Sequence, residues 1–142
     1  MSINVFKLEK YLARYEFSAP YLLCCSDAES FSMQEIIDMA SLEDKNLWQN
    51  LKLGYTEASG LPALRSQIAS SLYPSLRSED VQCFAGAEEG IFCALYALCE
   101  AEDHVIVLTP CYQSLLEIPK LKGASLSQIE LQEVNQWRID CD

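Results

Sequence analysis

Residues 84–110 read FAGAEEGIFCALYALCEAEDHVIVLTP. An apolar approach gives way to a Gly-Ala-Glu-Glu turn, and then Ile91, Phe92, Leu95, Leu98 and Cys99 recur at helical spacing. After an acidic turn comes HVIVLT (104–109), nearly continuous and β-branched, the pattern of a strand buried on both faces. Working outward, VQCF (81–84) reads as a short strand leading into the Gly86 turn, with the helix running from about Glu88 to Glu100. PCYQSLLEIPKLKG reads as a turn and a helix that Pro119 kinks or ends, and SLSQIEL (125–131) as a third strand. Strand, helix, strand, helix, strand predicts parallel strands joined by crossovers, hence an α/β sheet.

The first half has a different rhythm. Val5, Leu8, Tyr11 and Leu12 predict a short amphipathic helix over about 4–14, and APYLLCCSDAES (19–30) an extended apolar stretch ending in turn residues. Ser32 followed by Glu35 is a capping box for a helix in MQEIIDMA, and Ser41 caps a helix carrying Leu47, Trp48 and Leu51. Ser59-Gly60 precede Pro62, which suits a first helical turn because its missing N–H costs nothing there. Leu61, Leu64, Ile68 and Leu72 then keep one face until Tyr73-Pro74.

Bulk properties exclude several functions. The 142 residues, half of them hydrophobic and 22% charged, describe a globular chain rather than a disordered one. A net charge of −11, scattered along the sequence, leaves no basic stripe for nucleic acid or an anionic membrane. No apolar run reaches the roughly 20 residues a membrane helix needs, and MSINVFKLEK lacks a signal pattern. Seven cysteines without a CxxC pair favour a reduced, cytoplasmic protein over a disulfide framework. His104 is the single histidine, which rules out a multi-histidine metal site and a histidine triad within these residues; its acidic turn places it at the surface.

The Gly86 turn carries the chemistry. In parallel sheets ligands collect at the carboxyl ends of strands, where a helix start offers unpaired N–H groups and partial positive charge, a site for phosphate. Gly86 lets the backbone come close. Glu88 and Glu89 favour a first helical turn but repel a phosphate dianion, so their side chains must turn away and leave the amides to bind. On spacing alone an ordinary strand-to-helix turn with first-turn acids is the simpler reading.

The turn is not isolated. LGYTEASGLPALRSQIA, GAEEGIFCALYAL, EDHVIVLTPCYQSLLEI, KGASL and WRID stand in an order and spacing similar to those of the class I/II aminotransferases, fold-type-I enzymes dependent on pyridoxal 5′-phosphate. The resemblance covers residues 50–142 well and 20–50 more loosely. It implies an α/β fold: part of the large domain of a fold-type-I enzyme, a parallel-rich sheet flanked by helices, preceded by a helical and extended N-terminal segment. The corresponding division is 1–50 for that segment and 51–142 for an incomplete cofactor-binding domain.

Residue by residue, the resemblance assigns the cofactor phosphate to the backbone N–H groups of Ala87, Glu88 and Glu89. Relatives often place a hydroxyl residue in this turn, where this chain has glutamates. Tyr112, two after Pro110, matches the aromatic that stacks on the pyridine ring; the alternative is a core tyrosine. Tyr55 matches a tyrosine that reaches a partner subunit's phosphate; the alternative is a loop aromatic. Ser26 and Asp27 lie where relatives line the substrate pocket, while Cys24-Cys25 reads as a packed strand end. Gly60, Leu61, Pro62 and Arg65 look like the family's structural signature. The resemblance further implies an amino acid and a 2-oxo acid as substrates, a homodimer, and neither a nucleic-acid nor a membrane partner.

None of the six lysines (7, 10, 45, 52, 120, 122) matches the family's Schiff-base lysine, so no catalytic residue is assigned here. The expectation is therefore the N-terminal part of an aminotransferase, inactive and marginally folded as these 142 residues alone. A lyase or synthase of the same fold, a non-catalytic phosphate-binding module and a partner-dependent remnant are the alternatives.

Overall fold

The computed structural model describes residues 3–139, which form an α/β arrangement built around two parallel strands. Six α-helices and two short 3-10 segments occur among these residues. The sheet consists of β1 (His104–Thr109) and β2 (Ser125–Glu130), paired in parallel from His104 opposite Ser125 to Thr109 opposite Glu130. A helix, α6 (Ser114–Lys122), makes the crossover between them. A parallel pair needs such a connection, because its strands must both run the same way.

Local signals set most boundaries. The amphipathic pattern near the start becomes α1 (Lys7–Tyr15). In α2 (Met33–Met39) the capping box closes as expected: the Glu35 N–H donates to Ser32 Oγ at 3.2 Å and the Ser32 N–H to Glu35 Oε2 at 2.7 Å. That hydrogen bonding, led by the Ser32 side chain, holds the Glu35 carboxyl below its usual value. Ser41 caps α3 (Leu42–Gln49) by accepting from the Asp44 N–H at 3.1 Å. Pro62 opens α4 (Pro62–Leu72), and α5 spans Ala87–Leu98.

Arg65 explains the Gly-Leu-Pro-x-x-Arg pattern structurally. Its Nε donates to the Gly60 carbonyl at 3.0 Å and its NH1 to the Ser78 carbonyl at 3.1 Å, pinning the turn before α4 to the 3-10 segment Ser78–Asp80. Gly60 itself sits at φ +103°, and a Cβ there would lie 2.7 Å from both Cβ and Sγ of Cys83. Only glycine tolerates both conditions.

Three expectations are corrected. Residues 81–84 are extended but form no strand; among the described residues nothing lies alongside to complete a ladder, and the main-chain link there is Cys83 N–H to the Ser59 carbonyl at 2.9 Å. The run at 104–109 is a strand, yet it is not covered on both faces: Val107 is buried whereas Ile106 is 61% exposed. Of the two outcomes expected at Pro119, a kink or an end, the end does not occur, since α6 continues to Lys122. The proline is fully buried beside Ile118, so packing offsets the one N–H the helix lacks there.

The core is small: Cys99 at the end of α5, Val107 of β1, Ile118 and Pro119 of α6 and Ala124 at the start of β2, with Ala69 of α4 apart from them in sequence. A compact folded chain of 16.0 kDa exposes about 7,400 Å². These residues expose 11869 Å², with Leu64, Leu72, Phe92 and Leu98 among the uncovered apolar side chains. Part of the apolar face of α5 packs on α6, where Ile91 and Leu95 are half-buried and Cys99 buried, while Phe92 and Leu98, like Leu64 and Leu72 of α4, remain uncovered.

Candidate functional site

The site lies at the carboxyl end of β1. The chain returns from α5 through an acidic turn into β1, with Leu95 of α5 lining a cleft alongside Val107 and Leu108. The start of α5 therefore faces the same end as the loop after β1, which begins with the cis Thr109–Pro110 peptide and carries Tyr112. Electrostatics report the same juxtaposition, since the Glu88 carboxylate is close enough to help raise the Tyr112 phenol.

Gly86 has φ +108° and ψ 157°, a conformation essentially confined to glycine. No side chain caps the helix that follows, and a Cβ on Gly86 would meet no atom within 4 Å. Among the described residues no side chain accepts from the first-turn N–H groups of Ala87, Glu88 and Glu89. The Glu89 carboxylate is folded back over the helix start, accepting from the Ala85 N–H at 2.6 Å in the manner of a capping box, which engages one of its oxygens with a backbone donor there. Glu88 contributes the smallest of the influences that raise the Tyr112 phenol.

Tyr112 is gripped from the N-terminal segment. Its hydroxyl donates to Glu9 Oε1 at 2.5 Å, and Phe6 meets its ring edge-on with centroids 6.5 Å apart. The Glu9 hydrogen bond, followed by partial burial and the charges of Glu9 and Glu88, pushes the phenol up to about 12. It is therefore a neutral hydroxyl at any physiological pH.

The other expected residues are not gathered here. Tyr55 is fully exposed in the segment before α4. Ser26 and Asp27 lie exposed in the irregular segment before α2, and no hydrogen bond among the described residues joins them to Tyr112 or to α5. Loss of solvent and then the neighbouring Asp27 charge push the Cys25 thiol up, the opposite of what a reactive thiolate needs. Among the described residues no cluster has a metal-binding arrangement, the six described cysteines are free thiols, and no helix is long and apolar enough to cross a membrane. Cys141 lies outside the described residues. His104 opens β1 at the surface, where its Nε2 and Ser127 Oγ share a hydrogen bond of 2.8 Å.

Sequence reasoning missed the residues that hold Tyr112 in place. Glu9 carries no distinguishing signal, being a solvent-facing first-turn acid on an exposed helix. Glu117 does: an acid between Leu116 and Ile118 in an apolar helix calls for a partner. It is buried and accepts from the Asn4 backbone N–H at 3.1 Å and the Asn4 side-chain amide at 2.9 Å, with Lys120 3.7 Å away.

Comparison with known proteins bears directly on this arrangement. Residues 25–142 match the family model for aminotransferase class I and II. The chain belongs to this family. An aspartate aminotransferase of Sulfurisphaera tokodaii is 37% identical over 73 residues, covering 49% of this chain and 18% of that protein. A solved structure of a PLP-dependent aminotransferase from Streptococcus suis has 32% identity and a TM-score of 0.85 over 99% of this chain, 38% of its own. An uncharacterized HTH-type transcriptional regulator of Escherichia coli is 30% identical over 100 residues, 61% of this chain and 21% of that protein. The chain thus spans about a fifth of the curated relatives it matches. As a class I/II aminotransferase chain, it shares its α/β fold with the Streptococcus suis structure along nearly all of its length.

Proposed function

We propose that the protein carrying these residues is a pyridoxal 5′-phosphate-dependent aminotransferase, exchanging an amino group between an amino acid and a 2-oxo acid. One observation carries this reading: an uncapped helix start with glycine-only backbone geometry opens beside Tyr112, in a class I/II aminotransferase chain. The residues fit the cofactor. The N–H groups of Ala87, Glu88 and Glu89 would hold its phosphate at the positive end of α5. Tyr112 would offer an aromatic face to an electron-poor ring. When bound, the cofactor supplies the electron sink for chemistry at the substrate's α-carbon.

The protein's own groups have positioning tasks. Gly86 sets the direction of the helix-start amides, and the Glu89 carboxylate is held on the Ala85 N–H just before them. A neutral Tyr112 adds no negative charge beside a phosphate. Ser26 and Asp27 would line the substrate pocket, and Tyr55, projecting into solvent, would reach the phosphate of a partner subunit in a cytoplasmic homodimer. Residues 1–142 alone would not turn over. The large uncovered apolar surface supports that reading, because α4, α5 and β1 require further protein layers to form a closed site.

The similarity to a protein named as an HTH-type transcriptional regulator favours a second reading, in which the same module binds its ligand without catalysis. The test is to strip the whole protein of cofactor, titrate it with pyridoxal 5′-phosphate, and assay it with a panel of L-amino acids and 2-oxo acids. Saturable binding with amino-group exchange is expected. Binding without exchange would select the second reading, and absence of binding would overturn both.

A further inference from the structure

The N-terminal segment does more than pack. Four contacts clamp residues 4–9 onto residues 112–117, more than a hundred positions away. The Asn4 N–H and side chain reach Glu117, the Lys7 N–H donates to Gln113 Oε1 at 3.0 Å, Gln113 Nε2 donates to the Val5 carbonyl at 3.1 Å, and Tyr112 donates to Glu9. Phe6, on the same strap, packs perpendicular to the Tyr112 ring. Residues 4–10 and 111–117 also border a cleft of about 760 Å³, which is lined by Lys7, Lys10 and Gln113 but not by Tyr112.

We propose that Glu9 is a positioning residue for Tyr112, holding the ring in the orientation in which its face receives the cofactor. The geometry is economical. A tyrosine ring has two torsions, and the plane of its face is fixed once the hydroxyl is anchored and a perpendicular ring packs against it. Glu9 anchors the hydroxyl, Phe6 packs perpendicular to the ring, and the Gln113 and Glu117 contacts hold α1 so that Glu9 stays in reach. A charge-assisted O–H···O⁻ bond is among the stronger hydrogen bonds, so a surface carboxylate suffices for the task. The proposal rests on the reading of Tyr112 as the cofactor platform.

The experiment uses the whole protein labelled with ¹³Cζ-tyrosine, in wild-type, Glu9→Gln, Tyr112→Phe, Tyr112→Ala and Glu9→Gln/Tyr112→Phe forms. The Tyr112 resonance, assigned by its loss in Tyr112→Phe, is followed on raising pH, and the dissociation constant of pyridoxal 5′-phosphate is measured for each form. In wild type the phenol should remain protonated to about pH 11, and in Glu9→Gln it should titrate closer to the ordinary value of about 10. Tyr112→Phe should weaken cofactor binding about three- to ten-fold by deleting the bond, Glu9→Gln by less because its amide oxygen still accepts from the phenol without the charge, and the double variant no more than Tyr112→Phe alone. An unmoved phenol titration in Glu9→Gln, or additive losses in the double variant, would overturn the positioning role. Cofactor binding in Tyr112→Ala as tight as in wild type would instead overturn the platform itself.

Discussion

Gly86→Ala tests the phosphate turn at its most specific point. At φ +108° and ψ 157° the residue sits in a region that L side chains essentially avoid, at a cost on the order of 1–3 kcal/mol. Space is not the issue, since an added Cβ meets nothing within 4 Å. The penalty is therefore backbone strain alone, and it has two outlets. Either α5 keeps its start and the protein loses that stability, or the Gly86 peptide rotates and re-aims the N–H groups of Ala87 and Glu88. In the second case the strain reappears as lost phosphate affinity, about five-fold to a hundred-fold for the same energy. Gly54→Ala is the matched control: it too meets no atom within 4 Å, and its φ lies outside the positive range. Gly60→Ala is the opposite extreme, combining φ +103° with the 2.7 Å approach to Cys83. The assay is urea unfolding together with inorganic phosphate and pyridoxal 5′-phosphate binding by the whole protein. The order of damage should be Gly60, then Gly86, then Gly54 with almost none. Cys83→Ala should relieve Gly60→Ala only in part, because the Cβ clash survives loss of the sulfur. A Gly86→Ala protein matching Gly54→Ala in both stability and binding would refute the reasoning.

Glu88→Thr should tighten phosphate binding about two- to five-fold by removing a carboxylate from the anion's side, while costing a few tenths of a kcal/mol of favourable first-turn charge; isothermal titration with phosphate reads the first and urea unfolding the second. Glu117 is held below the ordinary carboxylate value, first by the Asn4 N–H and then by the Asn4 side chain. Its contribution is thus present above the unfolded value of about 4.3 and is lost as pH falls through the lower folded value, so amide exchange at Asn4 and Lys7 should accelerate in that acid window, and Glu117→Gln should flatten the dependence. Ser32→Ala should cost α2 about 1 kcal/mol, read as faster exchange at the Glu35 amide; unchanged exchange would mean that the capping box contributes nothing.

What was legible in the sequence is what short-range chemistry decides. Ser32 with Glu35, Ser41 with Asp44, and Pro62 after Gly60 each bind or constrain groups within a few residues, so the helix starts of α2, α3 and α4 follow from neighbours alone. The β1–α6–β2 unit was legible for the same reason, since a β-branched run, an apolar helix and a second short run leave a parallel crossover as the simplest arrangement. The glycine at 86 was also readable, because a helix start that needs an unusual φ has few candidates. Residues 81–84 failed where the rule is not local. Being extended is a property of VQCF, but being a strand is a property of a pair, and among the described residues no partner lies beside it.

The candidate site divides along the same line. Gly86 to Glu89 are contiguous, so their shared helix start could be proposed from sequence. The setting of Tyr112 could not, because the groups that fix it come from residues 4–9, and no periodicity links Glu9 to a tyrosine 103 positions later. Exposure adds a second reason. Periodicity identifies the apolar faces of α4 and α5 correctly as faces, yet Leu64, Leu72 and Leu98 remain uncovered, since burial depends on which layer is opposite. Glu117 marks the boundary between the two kinds of knowledge. A carboxylate between Leu116 and Ile118 announces that something must pair with it, because a buried charge without hydrogen bonds is too costly to keep. That the partner is Asn4, and that the pairing secures the strap holding Tyr112, emerges only when the chain is folded.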